Sequence, residues 1–279
     1  MRFTSATQLK DWIKNKSKQT GASPNVLLQS YMMERFLERI SLSPYRENFI
    51  LKGGFLIASM IGINRRTTMD MDATIKGLPI NRERIIFIME EIISQDANDG
   101  LVFEIQSIEG IRDISEYDDY RISLRATFLT IKVNMKIDIT TGDSIIPHEI
   151  EYPYKLMFED RTIPVMSYNL NTILAEKIET ILSRNVANSR GRDFYDVYIL
   201  LSMNRDAILR EDLLDALRIK SEERGSIHAI ENRSKHMNDI RESPEINKIW
   251  STYAMNNIYA KDITLIDILD MIDWVFIAR

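Results

Sequence analysis

The stretch from Lys52 to Gly77, KGGFLIASMIGINRRTTMDMDATIKG, constrains this chain more than any other. It opens with Lys52-Gly53-Gly54, and the apolar run from Phe55 to Ile63 reads as a helix about two turns long. The polar turn Asn64 to Thr68 follows. From Met69 to Ile75 apolar and polar residues alternate, which is the period of a half-buried strand, and on a strand residues i and i+2 share a face. Asp70 and Asp72 are therefore expected side by side, with Met69, Met71, Ala73 and Ile75 packed underneath. Two carboxylates on one face repel unless a cation sits between them. Oxygen donors of this kind suit hard divalent ions such as Mg2+. The glycines leave backbone amides bare, so a phosphate can approach and accept hydrogen bonds from them. A lone Asp-x-Asp is equally the mark of a solvated acidic strand, so the rest of the chain decides its meaning.

Composition narrows the field. The chain has 279 residues, room for two domains or one large one, and 44% of them are hydrophobic, which excludes global disorder. It has no cysteine, so disulfides, cysteine–zinc sites and a thiol nucleophile are excluded. The histidines, His148, His228 and His236, lack metal-ligand spacing. No apolar run approaches ~18 residues, and the N-terminus MRFTSATQLKDW lacks the apolar core of a signal peptide. A cytoplasmic protein without membrane contact is expected. The net charge of −5 argues against a generally basic nucleic-acid binder, but binding follows a local patch rather than the total.

Helical spacing is expected from about Ser5 to Ser43, broken at Gly21 to Pro24, and its first segment is basic through Lys10, Lys14, Lys16 and Lys18. Asn81 to Ser94 reads as a further helix, followed by strands over Leu101–Ile108, Tyr120–Phe128 and Lys132–Thr140. In the last of these, Asp138 shares the polar face with Asn134, Lys136 and Thr140, and pairing near the Asp-x-Asp strand makes it a third metal ligand. Lys155–Phe158 and Ile163–Met166 read as a hairpin. From Asn171 the chain turns helical, with the charged stretch Ser221–Ser243 as a mobile connection or solvated helix and Asp262–Phe276 as a last amphipathic helix.

One lysine sits on the wrong side of its helix. In NTILAEKIETILSRNV, Leu170, Ile173, Leu174, Ile178 and Ile181 form one stripe, and Lys177 falls inside it while Glu176 and Glu179 point outward. A buried lysine needs a partner or a cleft, unless its head snorkels to water. The next helix begins Gly191-Arg192-Asp193-Phe194-Tyr195-Asp196, with Asp193 in its first turn, where the helix dipole favours an acid.

Taken in order, LKGGFLI, TTMDMD, KIDIT, ILAEKIETILSR and RDFYDVYILL resemble the AbiEii/AbiGii family of nucleotidyltransferase toxins, within the polymerase-beta nucleotidyltransferase superfamily. The resemblance covers nearly the whole chain. It implies an α/β (α+β) fold: N-terminal helices over residues 1–48, a nucleotidyltransferase core with a mixed sheet over 49–168, and a helical C-terminal lobe over 169–279, with the active site between the lobes. It also implies a toxin of a toxin–antitoxin or phage-defence (abortive infection) system that moves a nucleoside monophosphate from an NTP to an acceptor, the tRNA 3′ end above all, with a cognate antitoxin as partner. Alternatives are a protein or small-molecule acceptor, or a catalytically silent antitoxin-binding protein.

Carried onto this sequence, the resemblance makes Asp70, Asp72 and Asp138 the ligands of two Mg2+ ions. It assigns Gly53, Gly54 and Lys177 to the nucleotide; Lys52, Arg66, Arg192 and Asp196 are further nucleotide-binding candidates beside them, Arg66 being equally a solvated turn residue. Asp193 matches the essential acid, and Asp196 is the neighbouring choice. One departure stands out: where many relatives carry Ser or Thr after the glycine pair, this chain has Phe55.

Overall fold

The computed structural model describes residues 3–111 and 119–277. The chain divides into two units, one of Met1–Asp143 with Glu149–Tyr168, the other of Ser144–His148 with Asn169–Arg279.

The first unit starts with α1 (Ala6–Thr20) and α2 (Pro24–Leu42). Ser5 and Ser23 cap them by accepting hydrogen bonds from the amides of Gln8 and Val26, and Pro24 opens α2 where a missing N–H costs nothing. The chain continues through β1 (Phe49–Lys52), α3 (Gly53–Ile61), β2 (Asp70–Ile75), α4 (Arg82–Ile93), β3 (Val102–Gly110), β4 (Tyr120–Phe128), β5 (Ile131–Thr141), β6 (Ile150–Lys155) and β7 (Thr162–Ser167). The strands form one mixed sheet in the order β3-β4-β5-β2-β1-β7-β6. Among the described residues only β2–β5 and β1–β7 pair in parallel.

One face of the sheet is apolar. Met71, Ala73, Ile122, Leu124, Ala126, Met135, Ile137 and Ile139 are buried there, and α2 and α4 pack against strands of the sheet. Alternation therefore assigns the faces as expected, with one exception: Met69 precedes β2 and is 44% exposed, because a residue outside the ladder is not held to the pleat.

α2 is buried from Gln29 to Ile40 on nearly every side, charged residues included. Arg39 forks onto Asp99 with two 2.8 Å hydrogen bonds, and Arg35 bridges Glu38 at 2.8 Å and Glu159 at 3.0 Å. The first strand of the last hairpin is Ile150–Lys155 rather than Lys155–Phe158. Leu156 and Phe158 are apolar because the turn folds back onto the core, where the Phe158 ring meets Trp12 at 4.4 Å and Tyr31 at 4.9 Å.

The second unit is helical: α5 (Leu170–Arg184), α6 (Gly191–Asn204), α7 (Arg210–Glu223), α8 (Ile227–Glu231), α9 (Arg233–Glu242), α10 (Pro244–Asn256) and α11 (Leu265–Phe276). Asn169 caps α5 and also donates to the carbonyls of Ile146 and His148, which ties the 144–148 segment to the helix start. Thr264 and Asp267 form a capping box at α11.

Two sequence expectations fail in this unit. The charged stretch Ser221–Ser243 holds the end of α7 and all of α8 and α9, and it buries Ala229, Met237 and Ile240. Glu176 and Glu179 do not face water. Arg224 reaches both at 2.9 and 2.7 Å, Ser226 donates to Glu179 at 2.7 Å, and the fully buried Lys220 stands 3.3 Å from Glu176. α5 is covered by α6 and by α7, so a single apolar stripe does not describe which of its sides are buried.

Candidate active site

The polar face of the sheet carries a straight row of charge. β2 pairs with β5 so that Asp72 lies opposite Asp138. β4 puts Arg121 opposite Asp138, and β1 puts Lys52 opposite Asp72. Read across four strands, the row is Arg121, Asp138, Asp72, Lys52. Asp70 lies two residues from Asp72 on the same face, in register with Lys136. Strand neighbours stand about 4.8 Å apart and i, i+2 positions about 6.7 Å apart, so three carboxylates share a small patch. Asp70 is exposed, while Asp72 and Asp138 are half-buried.

Each flank of the row is neutralised. Arg121 forks onto Asp138 with hydrogen bonds of 2.8 and 2.7 Å. That contact, with the charge of Asp138 and then of Asp70 and Asp72, pushes the guanidinium pKa further up. On the other flank, the Lys52 ammonium donates to Thr140 Oγ1 at 2.7 Å and pairs with Asp143, 5.6 Å from the Tyr168 ring centre. The middle of the row holds adjacent like charges.

The glycine pair fits around this row. Gly53 begins α3 with φ +69°, and a Cβ there would stand 2.0 Å from Asp72 Oδ2. Both the left-handed backbone and the packing against Asp72 require glycine. A Cβ at Gly54 would crowd Arg66 Nη2 at 3.0 Å and Thr68 Oγ1 at 3.1 Å. Arg66 is buried and donates to the Thr67 carbonyl, so it is no solvated turn residue. Lys52, Gly53, Gly54, Arg66, Asp70, Asp72 and Asp138 thus all belong to the first unit.

This donor set fits a hard divalent cation. It offers carboxylate oxygens one strand or one pleat apart, and the cation that Asp138 now holds is a guanidinium. Among the described residues no three acids converge as a ready metal cage, and both Asp138 oxygens accept hydrogen bonds from Arg121.

The second unit holds a separate cluster. Lys177 on α5 meets Asp193 at 2.6 Å and Asp196 at 3.1 Å, both on α6. The acids are buried, and the lysine side chain is 18% exposed. Lys177 does not simply snorkel: its ammonium is held between two carboxylates. Asp193 lies in the first turn of α6 and its Oδ2 has no hydrogen-bond partner. Gly191 is fixed by Tyr253, whose Cβ would lie 2.7 Å from an added Cβ, and Tyr195 packs between Tyr253 and Tyr259. Arg192 is exposed and outside this cluster.

Sequence reasoning missed Arg121, Thr140 and Asp143. Alternation in β4 places Arg121, Ser123, Arg125 and Thr127 on the polar face, but only the register brings Arg121 opposite Asp138.

The family model for the nucleotidyl transferase AbiEii toxin of type IV toxin–antitoxin systems matches residues 35–268. This chain belongs to the AbiEii family. Two solved structures share the fold. A candidate nucleotidyltransferase from H. pylori aligns at TM-score 0.50 and 15% identity, covering 91% of this chain and 96% of that one. JHP933 from Helicobacter pylori aligns at TM-score 0.50 and 14% identity, covering 91% and 92%. Among curated proteins, none matches the chain. AbiEii membership makes the chain a nucleotidyltransferase toxin of a type IV toxin–antitoxin system, which implies an NTP substrate and an antitoxin partner. Among the described residues no helix is long and apolar enough to cross a membrane.

Proposed function

We propose that this AbiEii protein transfers a nucleoside monophosphate from an NTP to the 3′ end of tRNA, blocking translation as part of a phage-defence response. The observation that carries the reading is the adjacent, like-charged pair Asp72–Asp138 with Asp70 beside it, flanked on both sides by cations. Asp70, Asp72 and Asp138 would hold Mg2+, two ions in the full site. Bound there, the metal supplies Lewis-acid neutralisation of the phosphates and a more acidic acceptor hydroxyl. The acceptor oxygen bonds to the α-phosphorus while the bond from that phosphorus to the bridging oxygen breaks. Pyrophosphate leaves, and the hydroxyl proton passes to Asp138. The amides of Gly53 and Gly54, at the start of α3, receive phosphate oxygens, with Lys52 and Arg66 adding positive charge. In the second unit Lys177 contacts the nucleotide, Asp193 is the essential acid that fixes the lysine with Asp196, and Arg192 adds an exposed charge.

The test is to incubate the protein with Mg2+ and each α-labelled NTP in turn, together with tRNA, total protein or small-molecule acceptors. Label on tRNA that fails to appear when the tRNA 3′ end is oxidised beforehand is the expected result. Label on protein or on a small molecule, with tRNA unlabelled, would overturn the tRNA reading.

A further inference from the structure

The polar face of the sheet continues past the acids. Moving along β4 and β5 away from the Arg121–Asp138 pair, the successive rows on that face are Ser123–Lys136, Arg125–Asn134 and Thr127–Lys132. Each step is about 6.7 Å, so the strip runs roughly 20 Å from Asp138 to Lys132. Lys132 and Lys136 are exposed and Arg125 is half-buried. Arg125 reaches Asn134 Oδ1 at 3.4 Å. Among the described residues no carboxylate forms an ion pair with Arg125, Lys132 or Lys136, in contrast to Lys52, Arg121 and Lys177. On the neighbouring strand β3, Glu104 lies opposite Arg125 and Glu109 opposite Arg121, which confines the positive charge to β4 and β5.

A line of cations outside any ion pair, in a chain of net charge −5, is a local feature of this face. Cations at fixed intervals along a strand match a polyanion whose charges also recur at fixed intervals. No aromatic side chain stands among the residues of these rows, so the strip offers phosphate contacts and no platform for stacking bases.

We propose that this strip holds the sugar–phosphate backbone of the single-stranded 3′ end of the acceptor RNA and leads its terminal hydroxyl to Asp138 and Asp72. Arg125, Lys132 and Lys136 are then positioning residues for the acceptor; Lys136, in register with Asp70, is the one nearest the acids. The proposal rests on the RNA-acceptor reading above and names the path that the RNA takes.

The experiment uses R125Q/K132Q, which leaves Lys136 and the acids in place. Binding of a mixed-sequence oligoribonucleotide with a free 3′ hydroxyl, and of tRNA, is followed by anisotropy from low to high salt, alongside transfer kinetics with Mg2+ and NTP. The expected result is a loss of about tenfold or more in RNA affinity, and a slope of log K against log salt shallower by about 1.4 for two lost phosphate contacts on a single strand. KM for RNA rises in step, while kcat at saturating RNA and the affinity for NTP stay within about twofold of wild type. The single variants R125Q and K132Q should each show part of the change, which covers any failure of the double variant to fold. K10Q/K14Q removes the same charge from α1 as a control. Wild-type affinity and slope in R125Q/K132Q overturn the strip while RNA labelling by the wild type persists, leaving the reaction itself intact. An equal loss in K10Q/K14Q assigns the effect to net charge and overturns it as well. No RNA binding by the wild type overturns the strip together with the RNA-acceptor reading.

Discussion

The acid row of the first unit and the lysine cluster of the second unit are opposite solutions to placing charge. Asp70, Asp72 and Asp138 lie close together on the polar face of a sheet, with Arg121 paired to Asp138 and Lys52 to Asp143 at its two flanks. Lys177, Asp193 and Asp196 lie between two helices, where each charge has a partner and both acids are out of water. In the first case the acids stand one strand or one pleat apart, so removing a charge relieves repulsion between like neighbours. In the second, removing a charge strands what remains in a medium that solvates it poorly. Function and stability should therefore separate in one region and travel together in the other.

The largest effect tests the first half of this comparison. D70A/D72A should lose transfer by about three decades or more, ~4 kcal/mol of transition-state stabilisation at 1.36 kcal/mol per decade. It should also melt no lower than wild type in metal-free buffer. Measuring transfer and the melting temperature together decides it, and a folded variant that still transfers would remove the acids from the site.

Lys177→Met tests the second half. A snorkelling lysine would tolerate the change, since methionine keeps the apolar stem. The ion pairs predict a loss of about 3 kcal/mol or more, because two buried acids lose their counter-ion. NTP affinity should fall by about one to two decades if the ammonium also meets phosphate. Lys177→Arg should restore stability better than activity, because a planar fork replaces the charge but not its compact shape. A variant as stable as wild type would break the contrast between the two regions.

A smaller effect probes how tightly the first region is built. Gly53→Ala places a side chain at positive φ, a cost of about 1–2 kcal/mol, and drives its Cβ into the Asp72 carboxylate. Activity should fall further than stability does. Equal wild-type activity in a folded G53A protein would show that Asp72 has room to move and that its packing against the glycine is unimportant.

The smallest effect sharpens the comparison within the first unit, where Glu34 is the fully buried counterpart of the acids on the sheet face. Burial pushes its pKa up to about 8, against hydrogen bonding from the Met157 amide at 2.7 Å and the nearby charge of Arg35. Its Oε2 is buried without a hydrogen-bond partner. In the unfolded chain the group ionises near 4.5. Between these values the folded state keeps a proton that the unfolded state releases, so stability is full below about 4.5 and declines as pH rises towards about 8. The slope is at most about 1.4 kcal/mol per pH unit. Urea unfolding of wild type and Glu34→Gln from pH 5 to 8 should show a difference that shrinks or reverses as pH rises; parallel curves would refute it.

Much of the site was legible because strand alternation is local. Asp70 and Asp72 on one face, Asp138 on the polar side of its strand, and Lys177 on an apolar helix face all follow from period alone. Lys220, Glu176 and Glu179 were not legible. A helix covered on more than one side has no single solvent face for the pattern to report. Leu156 and Phe158 misled for a related reason, since a turn folded back onto the core is as apolar as a strand.

The sequence by itself determined which residues could carry charge on the sheet face, where the chain needs glycine, and the family to which it belongs. Those properties are written in short-range periods and in the order of motifs. Only the tertiary structure decided that Arg121, Asp138, Asp72 and Lys52 stand in one row, and that Lys177 is held between two acids. Register between strands distant in sequence, and the packing of one helix on another, are set by the whole core. No local pattern records them.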